Sequence, residues 1–335
     1  MNLSRLSTIS KKEFSDHIGS KRLIFILALF CLFLSVKAAN GVVKYNELLE
    51  AYGAGYSHII FLPSPVEVFS GIVTGIGTEG LGIIIGLALG FDLISGERER
   101  RTLKTILSQP VYRDELINGK AIGGVATLTV ISVTGFIFVI AVMLILGIVP
   151  NLDELLGIGI IWIITLLFMI TSFSLALMTS VITKTSSASL ILSLAIIFLI
   201  LFVLPFGLAA LTNHILLGQP PVPSSQSFNS GSEMYEFQEK NNEYQNKKRA
   251  INDFFHSISI KQIYDDITLP IIAPSTYQAR KDFGKSTDPD SPEEREKPGF
   301  WSLIDDQLGK VVVFILWPVI FFGIAYVRFM KADLR

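Results

Sequence analysis

Six runs of apolar residues, at roughly 23–39, 66–93, 121–149, 155–182, 188–212 and 311–330, dominate this chain. Crossing the hydrocarbon of a bilayer takes about 20 consecutive apolar residues in a helix. Each run can meet that length. In lipid every backbone polar group must be satisfied within the segment, so such runs fold as helices and pack on one another. The composition agrees: half of the 335 residues are hydrophobic and only 17% are charged, where a soluble domain carries about a quarter. The sequence therefore predicts an all-α integral membrane protein with six transmembrane helices.

Several functional classes fall away on the same grounds. A formal net charge of −1 is not that of a nucleic-acid binder, which needs a basic surface. A single cysteine, Cys31, allows neither an internal disulfide nor a cysteine-rich metal site. The four histidines (His17, His58, His214 and His256) have no metal-ligand spacing, so no metal site is expected. Gly284-Lys285-Ser286 looks like the end of a phosphate-binding loop, but the glycine required five positions before Gly284 is Ala279. Asp92 follows Gly90-Phe91, yet aspartyl proteolysis needs a pair of carboxylates sharing a proton, and no second aspartate lies inside a span. No catalytic residue is expected.

Between the apolar runs the charges are uneven. Residues 1–22 read as an amphipathic helix, with Leu3, Leu6, Ile9, Phe14 and Ile18 on one broad face. Lys21 and Arg22 followed by an apolar run to Val36-Lys37-Ala38 could instead mark a signal peptide, but the long helical stretch before it favours an uncleaved span. Lys and Arg collect at 1–22, 95–120, Lys184 and the end of the chain, while the short segments on the other side hold only Lys37 and Lys44. The bias puts both termini on the cytoplasmic side of a cell membrane. The divisions expected are 1–22, then 23–212 with spans one to five, then an extracellular, mostly helical lobe at 213–310, then 311–335 with the sixth span and a cytoplasmic tail. In that lobe residues 232–268 read as one or two helices, and acids outnumber bases.

Two places invite a functional reading. The second run carries Gly71, Gly75, Gly82, Gly86 and Gly90, small residues whose spacing lets helix backbones approach closely. Glu79 falls inside that run, and a carboxylate at membrane depth is a pathway candidate by default; it could equally lie in a re-entrant or vestibule segment. The second place is the segment 95–120, where the charges of Glu97, Arg98, Glu99 and Arg101 precede Leu103, Ile106 and Leu107 on one helical face, with Pro110 as a stop. A short amphipathic helix on a loop wants a protein groove or a membrane surface.

That segment resembles the cytoplasmic signature of ABC type-2 (ABC-2) transporter permeases, an E-x-E-x-G-T-L-x-x-L-L-S-x-P-x-x-R pattern after the second span. Glu97, Glu99, Thr102, Leu103, Ile106, Leu107, Ser108, Pro110 and Arg113 fit it, whereas Arg101 stands where many relatives have glycine. The Lys11-Lys12-Glu13-Phe14 stretch and the ending Arg328–Arg335 are similar too. The resemblance implies an exporter permease that pairs with a second permease subunit, as a homodimer or heterodimer. It also implies docking of two copies of a separate ABC ATPase subunit that binds ATP and Mg, so no cofactor is expected in this chain. It makes roughly 97–108 the coupling helix, 1–22 an interfacial helix in the lipid bilayer, and spans one, two and five the dimer interface and pathway. The competing reading is a non-ABC carrier using Glu79, or a sensor with a ligand-binding outer lobe. A carrier usually has repeated broken segments, and no second segment resembles the glycine-rich one.

Overall fold

A computed structural model describes residues 3–55, 62–107, 111–222, 231–274, 276–277 and 307–332. Among these residues every regular element is helical. Backbone contacts divide the chain into two units, Met1–Ser193 with Tyr264–Arg335, and Leu194–Ile263.

The first unit begins with α1 (Leu3–Ile18) and α2 (Lys21–Gly53). Ser20 starts α2 by accepting a hydrogen bond from the Leu23 N–H. At 33 residues the helix is about 50 Å long, well beyond the roughly 30 Å of hydrocarbon. The apolar run thus fills only its first half, and the polar continuation through Asn40, Lys44 and Glu47 stays helical.

The second apolar run departs from the continuous span expected at 66–93. A 3₁₀ turn at Pro65–Phe69 leads into α3 (Ser70–Gly77), and after a break at 78–80 the chain resumes as α4 (Leu81–Gly90), with the pair bent by 49°. Gly80 makes the break possible. It sits in the left-handed region at φ 82° and accepts at its carbonyl the first bond of α4, from the Ile84 N–H.

The remaining elements of this unit are α5 (Ser95–Glu99), α6 (Thr102–Leu107), α7 (Arg113–Ile145), α8 (Leu152–Ile182), the start of α9 (Ser186–Phe198), most of α12 (Ile260–Ile272) and a last helix, α13 (Leu308–Lys331). Asn151 and Glu154 exchange side chain-to-backbone bonds at the start of α8, a reciprocal cap that satisfies two otherwise unpaired N–H groups. Five helices of the described residues are long and apolar enough to cross a membrane, and a sixth if the bent pair counts as one span.

α8 is the hub. Of its most apolar stretch 67% is buried, against 17% for the helix running from Ser186. α4 lies along it through the four-residue glycine ridge. A Cβ on Gly86 would stand 2.7 Å from the Met169 carbonyl oxygen, and one on Gly90 would stand 2.8 Å from that of Phe173. Only glycine permits that approach. Gly82 and Gly75 press against side chains (Phe168 and Phe33), whereas Gly71 is in ordinary contact with Lys37. On other sides α8 meets α13, where Phe168 and Phe314 stack at 6.5 Å, and Tyr264 of α12.

Within the stretch 213–310, α12 from Tyr264 on groups with the first unit. Tyr264 is fully buried, hydrogen-bonded to Thr165 at 3.0 Å and tilted over Phe168 at 4.7 Å. Lys310 pairs with Asp266 at 2.8 Å. Through Tyr264 and Asp266, α12 is thus bonded to α8 and α13. Its apolar face, with Ile263, Tyr264, Ile267 and Ile272 buried, recurs at helical spacing and supplies the reason.

The second unit holds the rest of the fifth apolar helix, which widens into a π-helix at Leu199–Leu208 around Pro205 and ends as α10 (Ala209–Leu217). α11 (Gly231–Ile258) follows, polar on most sides and braced by Glu236–Lys240 and Glu243–Lys247 pairs. The polar stretch 281–299, with Gly284-Lys285-Ser286, lies outside the described residues, as do Phe300 and Trp301.

Candidate functional site

The segment 95–107 is bound into the chain by bonds to the end of α8, to the start of α9 and to Lys120 of α7. α5 starts against α8, where Ser180 Oγ accepts from the N–H groups of Ile94 and Ser95 at 3.0 and 2.9 Å. Arg98 then reaches the end of α8, its Nη1 donating to the Thr183 carbonyl at 2.6 Å and the Val181 carbonyl at 3.3 Å. One residue later Glu99 Oε2 accepts the Ser186 N–H at 3.0 Å, at the start of α9. A cation thus sits on a helix C-terminus and an anion on the next N-terminus, the sign of charge each end favours. Two consecutive charged residues hold the α8–α9 turn, and a charge of opposite sign at either position would be repelled.

Glu97 points elsewhere. Its Oε1 lies 2.7 Å from Lys120 Nζ on α7, and Glu13 of α1 approaches the same ammonium to 2.8 Å. Lys120 is only 2% exposed. α1 reaches α7 because Gly119 and Gly123 leave room for Ile9 and Glu13. Charge removed from water this completely is tolerated only when paired. Glu13 and Glu97 together supply that pairing, and they tie the N-terminal helix to the loop. His17, a turn beyond Glu13, is pushed below its ordinary pKa by burial, with Glu13 opposing the shift. Arg22 completes this layer, paired with Asp92 at 2.9 Å and 4.7 Å above the Phe91 ring. Asp92 is thereby committed to an ion pair.

Arg113 acts on a further helix end. From the first turn of α7 its Nη1 donates to the carbonyls of Ala332 at 2.7 Å and Met330 at 3.2 Å, closing the C-terminus of α13. The Tyr112 N–H donates to Glu115 at 3.4 Å, and Arg5 of α1 lies 3.9 Å from that buried carboxylate.

The side chains expected to face a partner divide into two groups. Glu97, Arg98 and Arg113 are turned into the chain, and Leu103, expected as an exposed apolar anchor, is 2% exposed. Glu99 is exposed but bonded to Ser186. The surface of this segment is made instead by Arg100, Arg101, Thr102 and Thr105. Thr102 Oγ1 donates to the Glu97 carbonyl at 3.2 Å. Arg101 has φ 61°, the one non-glycine residue with positive φ among the described residues. Ile106 and Leu107 continue the helix, and Pro110 lies outside the described residues.

Glu79, for which the sequence left open both a span interior and a re-entrant or vestibule segment, falls on the break between α3 and α4. Its carboxylate pairs with Lys37 of α2 and remains 45% exposed, so it is neither unpaired nor buried. Thr78 beside it donates to Asp265 at 3.5 Å. Three members of these clusters escaped sequence reasoning. Lys120 and Glu13 are charges on helix faces that are otherwise closely packed, a signal that was present. Lys37 carried none, because nothing in the sequence pairs residues 37 and 79.

Comparison with known proteins agrees with this architecture. Residues 7–334 match the ABC-2 family transporter proteins. A stretch of 152 residues is 31% identical to the protein described as the probable ABC transporter permease protein NosY of Pseudomonas aeruginosa. That stretch covers 45% of this chain and spans about half the length of the relative. A match over nearly the whole chain, on long apolar helices of membrane-spanning length, makes this chain a member of the ABC-2 transporter family, a membrane-embedded permease.

Proposed function

We propose that this chain is the transmembrane half of an ATP-driven exporter, and that segment 95–107 receives the stroke of a separate ABC ATPase subunit. The observation that carries the reading is the set of bonds from one short segment to the end of α8, to the start of α9 and to Lys120 of α7, with Arg113 at the start of α7 closing the end of α13. A force on the exposed surface of Arg100, Arg101, Thr102 and Thr105 acts on α7, α8 and α9 at once, because charged hydrogen bonds rather than a slack loop join them to the segment. A shift between inward- and outward-open states requires partner contacts that differ between the two. A stapled segment can convert such contacts into helix displacement. In this reading both termini and segment 95–120 are cytoplasmic, two copies of the ATPase dock there and bind ATP and Mg, and a second permease subunit, identical or not, completes the transporter in the cell membrane.

The reading separates docking from transmission. With an ABC ATPase co-expressed, exchanging Arg100 and Arg101 for Glu is expected to cut recovery of the complex. Arg98→Ala is expected to leave recovery intact while substrate no longer stimulates hydrolysis. Hydrolysis by the isolated chain, or full coupling in Arg98→Ala, would overturn the proposal.

A further inference from the structure

The unit formed by residues 194–263 contains a cavity of about 560 Å³, within the range that holds small molecules. Two ridges at four-residue spacing face each other across it. From α11 come Tyr244, Lys248, Asn252 and His256, one to each turn. Opposite stand Phe206, Ala210 and His214, and beside them Ala209 and Asn213. Positions four apart share a helix face, so each ridge is continuous.

The two ends of the lining differ in chemistry. Pro205, Phe206, Ala209 and Ala210 make an apolar floor, with the Phe206 ring edge-on to His256 at 6.4 Å. At the polar end Lys248 is half-buried and without an ion pair among the described residues, whereas neighbouring Lys247 is paired with Glu243 at 2.7 Å. Asn213 is 9% exposed; its Nδ2 donates to Asn252 Oδ1 at 2.9 Å, and its own Oδ1 meets no donor among the described residues. A buried acceptor left in that state is costly and points to a missing donor.

We propose that this cavity binds an anionic, hydroxyl-bearing amphiphile of the glycerophospholipid class. The acyl portion lies on the Phe206–Ala210 floor, Lys248 takes the phosphate, and a headgroup hydroxyl donates to Asn213 Oδ1. A zwitterionic choline headgroup has no hydroxyl to give and carries a cation toward Lys248. A bare glycerol phosphate leaves the floor exposed to water. The site sits apart from the 95–107 segment in sequence and does not rest on the coupling function.

The full-length chain, purified in detergent, can be titrated with dihexanoyl phosphatidylglycerol, dihexanoyl phosphatidylcholine and glycerol 1-phosphate and read by native mass spectrometry. Phosphatidylglycerol is expected to bind about tenfold more tightly than phosphatidylcholine, the scale of one hydrogen bond to a buried acceptor that would otherwise stay unpaired. Glycerol 1-phosphate is expected not to bind at concentrations that saturate the site with lipid. Lys248→Gln, at a half-exposed position, should weaken phosphatidylglycerol through the lost phosphate contact and narrow the preference to that given by the hydroxyl on Asn213, and Ala210→Trp, at an exposed one, should weaken both lipids by filling the floor. Equal wild-type affinity for the two lipids, binding of glycerol 1-phosphate as tight as that of the lipid, or a phosphatidylglycerol affinity unchanged by Lys248→Gln would overturn the proposal. Unchanged binding in Ala210→Trp, with the variant eluting as wild type on gel filtration, would overturn it as well.

Discussion

Arg101 connects α5 to α6 in a conformation that costs an L-residue about 1–2 kcal/mol relative to its right-handed alternative. The side chain is exposed, so no burial offsets the cost. The glycine that the family pattern carries at this position now has a physical reason, since the turn between the two short helices needs positive φ. Arg101→Gly is expected to raise stability by about 0.5–1 kcal/mol, the relief of the turn less the added freedom of glycine in the unfolded chain. Arg101→Val should move the other way, because a β-branched residue is poorly accommodated there. Thermal midpoints of the two variants in one detergent check this, and equal midpoints would mean that the turn is not held left-handed. Retention of arginine despite the cost fits a demand on the exposed charge, which agrees with the docking role proposed for Arg100 and Arg101.

At the scale of elements, α1, the segment 95–107 and α7 meet on one ammonium. Lys120→Met leaves Glu13 and Glu97 facing each other with no cation between them, and breaking a buried pair from one side costs about 3–5 kcal/mol. Glu97→Gln keeps Glu13 on Lys120 and should cost less, about 1.5–3 kcal/mol, the worth of a hydrogen bond to a charged group. Thermal unfolding of the purified variants gives the order, and a Glu97→Gln variant less stable than Lys120→Met would show that Glu97 does more than neutralise. The long apolar helices, and the amphipathic character of α1, were legible from hydropathy and periodicity alone. The partition of the loop was not. The charges of 97–101 read as a solvated or docking face, yet three of them satisfy helix ends or a buried lysine. Hydropathy reports which residues avoid water, and it carries no information about which carbonyls and N–H groups a charged side chain will find once helices distant in sequence are adjacent. The same limit explains the second apolar run. Its glycines announced close packing, but the break at 78–80 depends on how α3 meets α2 while α4 meets α8.

For the molecule as a whole, that break is where three parts of the bundle converge. α2 arrives through Lys37, α3 and α4 flank the bend, and α12 approaches through Tyr264, which touches Gly77, and Asp265, which receives the Thr78 hydroxyl. α4 is locked on α8 by its glycine ridge, and α8 is held by Arg98 at its far end. On the function proposed above, a displacement of the 95–107 segment that moves α8 is expected to carry α4 with it and to change the angle at Gly80. The Lys37–Glu79 pair spans the joint. Because Glu79 is 45% exposed, the pair contributes under about 1 kcal/mol to stability, and its weakness suits a contact that must open and reform. Glu79→Gln is accordingly expected to leave the yield, the thermal midpoint and assembly with the ATPase within error of wild type while altering transport-coupled hydrolysis. The exchange Lys37→Glu with Glu79→Lys should restore part of what the single change loses. With Cys31 replaced, a cysteine introduced at Glu79 reports on the joint directly. Labelling by a membrane-impermeant thiol reagent should differ between the ATP-bound and nucleotide-free complexes, since the bend is expected to open in one of them. Equal labelling in both states, together with unchanged hydrolysis in Glu79→Gln, would reduce the pair to a static surface contact and place the moving joint elsewhere in the bundle.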